Sequence, residues 1–116
     1  MNLIRLERHQ HPRPPHHELR QKRVMDSGCR SIGQVANLYT DAHRELRFVD
    51  VITSGFMGLR TKHHLVPAEA IAEEDPGSIT LVVDEQVIES APTYADPHAA
   101  PDEELQRLTR EHFGYN

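Results

Sequence analysis

The sequence predicts an all-β fold, a small antiparallel barrel carrying one short amphipathic C-terminal α-helix. Three observations predict it. Short apolar runs, "KRVM", "SIGQVANLY", "LRFVDVIT", "HLVP" and "SITLVV", follow one another closely, separated by Gly, Pro, Asp and Ser, the punctuation of tightly joined strands. The period then changes, and "PDEELQRLTREHFG" at the end of the chain repeats its apolar residues as a helix does. Finally, 116 residues with 37% hydrophobic and 5% aromatic content and no Trp allow one domain with a lean core. Closing so small a sheet into a barrel removes its exposed edges.

Residues 1–19 hold three prolines and four histidines and little apolar character after Leu6. Such a segment buries too little to offset its ordering entropy, so a flexible His/Pro-rich tail is expected, with Leu3, Ile4 and Leu6 as a short docking motif. Its histidines, His9, His11, His16 and His17, lack acidic or thiol co-ligands nearby and read as solvated. The barrel is expected over residues 20–90. "KRVMDSG" is a short apolar piece ended by Asp26, Ser27 and Gly28. In "SIGQVANLYTD" the apolar positions Ile32, Val35, Leu38 and Tyr39 break strict alternation, and Gly33 suggests a bulge or bend. In "ELRFVDVIT", Leu46, Phe48 and Ile52 are expected on one face and Val49 and Val51 on the other. "SGFMGLRTKHH" is glycine-punctuated and reads as a hairpin tip, "HLVP" as a brief strand, "AEAIAEEDPG" as a turn region. "SITLVVDE" is a strand with Ile79, Leu81 and Val83 alternating.

Residues 91–116 are expected to be a linker and helix, with "DEQVIESAP" just before them forming a single helical turn. Pro101 and the acids Asp102, Glu103 and Glu104 mark the start of the helix, where they favour the positive end of its dipole. Leu105, Leu108 and His112 are expected on its buried stripe, Glu103 to support Arg107 four residues on, and Gly114 to close it.

Charge is unevenly spread. Residues 1–23 carry six Arg and Lys against two acids (+4), the remaining 93 seven against sixteen (−9). An acidic body is poor material for holding phosphates, so no nucleic acid is expected as partner. The single Cys29 excludes an internal disulfide and reads as a small, partly buried thiol. No apolar run approaches a membrane span and no signal-peptide core is present, so a cytoplasmic location is expected.

The run "SIGQVANLYTD…RELRFVDVIT…GLRTKHHLVPAEAI…SITLVV" resembles the PRC-barrel family, shared by the cytoplasmic part of the photosynthetic reaction centre H subunit and the ribosome-maturation factor RimM. Gly28, Ile32, Gly33, Val35, Leu38, Tyr39 and Asp41 match its opening strand, and Leu46 to Ile52 its second. His64, Leu65, Val66, Pro67, Glu69, Ala70 and Ile71 match its most recognisable segment. The tail "SAPTYADP…EELQRLTREHFGYN" is similar to the linker and helix of free-standing members. The resemblance covers residues from about 20 to 114. It implies a free-standing member, since neither the membrane helix of the H subunit nor the extra barrel of RimM precedes this segment. It also implies action through surfaces, because the family shares no catalytic constellation.

The histidine doublet His63–His64 is the first candidate for chemistry, since imidazole titrates near neutrality and ligates metals. Adjacent residues of a strand point to opposite faces, however, so the pair cannot share one ion. Convergence of either with His43 or His112 would be needed for a metal site, and no metal or cofactor is expected. Ser54 lacks the glycine-flanked elbow of a serine nucleophile, "GFMGLR" lacks the Lys-Ser/Thr of a phosphate loop, and Glu69, Glu73, Glu74 and Asp75 lack calcium-loop spacing. The expected function is therefore a non-enzymatic interaction module, a homodimer that binds another protein through Phe56, Met57, Leu59, Leu105, Leu108 and Phe113. The alternative is a ligand-, proton- or metal-responsive module tied to electron transfer, with His43, His63, His64 and His112 titrating. A weaker alternative, RNA binding in the manner of ribosome factors, is opposed by the acidic body.

Overall fold

A computed structural model describes residues 1–54, 61–92, 94 and 96–115. The strands are β1 (Ile4–Arg5), β2 (Arg23–Met25), β3 (Ser31–Thr40), β4 (Leu46–Ser54), β5 (Thr61–Pro67), β6 (Ile71–Glu74) and β7 (Ser78–Leu81). They form one curled, half-barrel sheet in the order β5-β4-β3-β2-β7-β6, with β1 added beside β3. Two helices follow, α1 (Glu85–Glu89) and α2 (Glu103–His112). The all-β expectation with a short C-terminal helix thus holds. The sheet is not wholly antiparallel, since β2 and β7 run parallel with Val24 opposite Ile79. The stretch expected as a turn region contains a 3-10 turn, Ala68–Ala70, followed by β6, and β5 takes in Thr61–His64, expected as part of a hairpin tip.

Alternation within β3 and β4 is reset by bulges. Val35 pairs with Val51 but Asn37 pairs with Asp50, so Ala36 is an extra residue on β3. This lets Val35 and Leu38, three apart, both enter the main core. Arg47 is the corresponding extra residue on β4, between the pairs Tyr39–Phe48 and Thr40–Leu46. Leu46 consequently joins Val49 and Val51 in the main core while Phe48 faces the other way, correcting the expected grouping of Leu46 with Phe48. Gly33 follows a further irregularity opposite β2, and a Cβ there would sit 2.1 Å from the Ile52 carbonyl oxygen. Glycine is required for close approach of two backbones.

Residues 1–19 are not outside the core. Ile4 and Arg5 pair with Thr40 and Tyr39, Leu6 and Leu19 are buried among the core residues, and His16 Nδ1 lies 2.6 Å from Glu74 Oε2. Two leucines and a short strand anchor a segment whose composition suggested a loose tail.

The N-cap of α2 is Asp102, whose carboxylate accepts from the Leu105 N–H. Its C-terminus is a Schellman closure. Gly114, at φ +86°, donates to the Glu111 carbonyl and Tyr115 donates to that of Arg110. The expected leucine stripe is not the buried one. Gln106, Thr109 and Phe113 face inward, Leu105 is half-buried, and Leu108 and His112 are exposed. Arg107 pairs with Glu104 and Glu111 rather than with Glu103. The docking face of α2 follows from what the barrel offers it, and that is invisible to a count of apolar spacing.

Candidate functional site

On the face of the sheet opposite the main core, three neighbouring strands place polar side chains together. Asn37 on β3 stands opposite Asp50 on β4, and His63 on β5 is diagonal to Asp50, which faces Leu65. Diagonal neighbours on one face are within reach of a ring and a carboxylate. Asp50 is completely buried; its Oδ2 accepts from Asn37 Nδ2 and pairs with His63 Nδ1, each at 2.8 Å. Its Oδ1 has no partner. Arg5 extends the chain, donating from Nη2 to Asn37 Oδ1 (3.0 Å) and from Nε to the Pro97 carbonyl (3.1 Å).

A buried carboxylate without a full set of partners is costly, so its position is a feature of the site rather than filler. The geometry puts the His63 proton on Nδ1 when Asp50 is ionised, leaving Nε2 for solvent or a ligand. Among the described residues Nε2 has no partner. The arrangement can hold a proton, orient an imidazole, or present a cation next to a fixed anion.

Beside this chain lies a pair of tyrosines. Tyr39 and Tyr94 meet edge to face with centroids 6.0 Å apart, and their hydroxyls are hydrogen-bonded to each other. Tyr39 Oη also reaches the Pro97 carbonyl (3.1 Å) and Tyr94 Oη that of Ala99 (2.7 Å), so two phenolic protons are distributed over three contacts. Burial pushes both phenols up, Tyr94 to about 12, so both remain neutral. With Phe48 and Leu65 they form a second apolar cluster against which Leu3 and Leu105 pack. Tyr94 and His63 share a cleft of about 340 Å³ with Lys62, His64 and Glu89.

The two adjacent histidines diverge as strand geometry requires. His64 is buried on the opposite side, its Nε2 3.0 Å from Thr53 Oγ1. Burial, reinforced by the Lys62 charge, lowers its pKa below the usual histidine value. His112 Nε2 donates to the Val87 carbonyl at 2.7 Å, docking the end of α2 on α1. His43 is exposed in the β3–β4 turn, where its backbone N–H and that of Glu45 bind Asp41 Oδ1. Burial pushes the Asp41 carboxyl up, but these bonds and Arg47 outweigh it and hold it below the usual range. Among the described residues no three His, Cys, Asp or Glu side chains converge as metal ligands.

Of the expected contact residues, Phe56, Met57 and Leu59 lie outside the described residues. Phe113 is buried in the chain's own core, 9% exposed, and Leu105 is largely occupied by the tyrosine cluster. Leu108 is exposed. Cys29 is exposed, not partly buried, because Asp26 Oδ1 binds the N–H groups of Gly28 and Arg30 and thrusts Cys29 to the tip of the turn. The Asp50 group was missed by sequence reading. Its one signal was an acidic residue in the middle of the apolar run "RFVDVIT", an unusual position for an unpaired charge.

Comparison with known proteins adds no relative: no family model matches the chain, and no curated protein matches it in sequence.

Proposed function

We propose that the chain is a PRC-barrel-like module, cytoplasmic and without catalytic activity, that forms a homodimer and works by binding another protein. The observation that supports this reading is the inverted burial of α2. The helix turns Gln106 (7% exposed) and Thr109 (0%) toward the barrel while leaving Leu108 38% exposed. Thr109 Oγ1 is even buried without a partner. A helix that buries polar groups and presents a leucine is oriented for a second surface beyond its own domain. Sedimentation at micromolar concentration tests it. The dimer is expected for the wild type and a monomer for Leu108→Glu with its fold intact. A wild-type monomer, together with a Phe56→Ala/Met57→Ala/Leu108→Ala variant that keeps every partner captured from lysate, overturns it.

A second reading, a proton-responsive module, is favoured by the buried Asp50 beside His63. Under it, partner capture differs between about pH 7.5 and about pH 5.5, and Asp50→Asn removes the difference. Equal capture at both pH values by the wild type rejects it.

A further inference from the structure

The cationic N-terminal segment is folded back onto the sheet, and this concentrates charge in one place. Arg5, Arg8 and Arg20 line a cleft of about 250 Å³ together with Glu7, Gln21 and Asn37. Three guanidiniums against one carboxylate give this cleft a net positive charge in a chain whose net charge is −5. Among the described residues no carboxylate lies within ion-pair distance of any of the three. Arg5 spends its bonds on an amide and a carbonyl, at Asn37 and Pro97. Arg20 Nη2 contacts the carbonyls of Leu6, Glu7 and Gln10, which pins the segment in place. Its Nε is buried without a partner. Arg8 is exposed and has no partner among the described residues. Burial and then the charges of Arg5 and Arg8 lower the Arg20 pKa, and the opposing charge of Glu7 does not offset them.

Guanidiniums carry planar donor forks that match tetrahedral oxyanions, and carbonyl partners hold them in place without neutralising them. We propose that this cleft is a binding site for a small phosphate monoester, with Arg8 closing on the phosphoryl oxygens and Arg5 and Arg20 as its fixed wall. The cleft's volume accommodates one phosphoryl group with a small substituent. The reading of the chain as a protein-binding module is independent of it.

The test is amide NMR of the full chain titrated with inorganic phosphate and with phenyl phosphate, at constant ionic strength set by chloride. Saturable shifts are expected at the amides of Leu6, Glu7, Arg8, Gln21 and Asn37, with tighter binding of the dianion than of acetate. Arg8→Gln removes a side chain that no internal contact uses and is expected to weaken binding by about tenfold. Lys22→Gln removes an equal charge outside the cleft and is expected to leave the affinity unchanged. Shifts that rise linearly without saturation, or equal losses from Arg8→Gln and Lys22→Gln, reduce the effect to general electrostatics and overturn the proposal. Binding to vesicles containing phosphatidic acid, with no saturable response to free phosphate or its phenyl ester, assigns the patch to a membrane surface and overturns it also.

Discussion

Gly33→Ala is expected to be among the most damaging single-methyl additions the fold can receive. The added Cβ would lie 2.1 Å from the Ile52 carbonyl oxygen, 3.0 Å from its carbon and 3.3 Å from Thr53 Cγ2. A carbon–oxygen contact relaxes to about 3.3 Å, so β3 and β4 must part by about 1 Å. They would do so where Gln34 pairs with Ile52, one residue from the Val35–Val51 pair that holds the main core. Overpacking of a rigid neighbour costs about 1–3 kcal/mol, and because the neighbour is backbone the upper end, about 3 kcal/mol, is expected. For a domain of this size that corresponds to a melting temperature lower by about 12 °C. Gly77→Ala is the internal control, because nothing lies within 4 Å of its added Cβ. It is expected to be neutral or to stabilise by about 0.5 kcal/mol through the unfolded chain. Urea unfolding followed by circular dichroism, with thermal melts of both variants, measures the difference. A Gly33→Ala protein within about 1 kcal/mol of Gly77→Ala would show that the two strands slide apart freely, and the close-approach account would fail.

Thr109→Val keeps the shape of the side chain and removes a buried hydroxyl oxygen that has no partner. It is expected to stabilise the protein by about 1 kcal/mol in urea unfolding. Acid should act in two stages. The folded pKa of His64 lies below its unfolded value, so between the two the unfolded chain binds more protons and stability falls as pH drops below about 6.5, by at most about 1.4 kcal/mol per pH unit. His64→Gln should flatten that stage in urea midpoints measured across the range. The second stage lies below about pH 4, where Asp26 and Asp41 protonate. Asp26 is held below the usual carboxylate range, chiefly by the N–H of Arg30, and Asp41 by the bonds of its turn and by Arg47. Both contribute stability above their unfolded pKa that is lost on acidification, and Asp41→Asn should shrink this stage.

How much of this was legible can be judged residue by residue. The turn at Asp26–Gly28, the start of α2 at its run of acids, the closing Gly114 and the divergence of His63 from His64 are local, decided within a few bonds of the residue concerned, and the sequence shows them. The inward face of α2 and the burial of Leu6 and Leu19 were not legible in the same way. Each depends on where another part of the chain lies. The Asp50 group shows the limit clearly. Its members Arg5, Asn37, Asp50 and His63 come from four strands, and only strand register brings them within hydrogen-bond distance.

By itself, then, the sequence determined the type of the longer elements: apolar runs broken by turn formers become strands, and a run opened by acids and closed by glycine becomes a helix, whereas the short strands Ile4–Arg5 and Ile71–Glu74 are visible only in the fold. Tertiary structure alone decided which faces are buried. Two single-residue bulges, at Ala36 and Arg47, reverse the alternation of β3 and β4 partway along, and one extra residue moves every later side chain to the other face. It also decided where charge gathers. The cationic segment, which composition had set apart from an acidic body, is held against that body by Arg20 and two buried leucines. The gain from burying those leucines, together with the carbonyl contacts of Arg20, outweighs the entropy of ordering the segment.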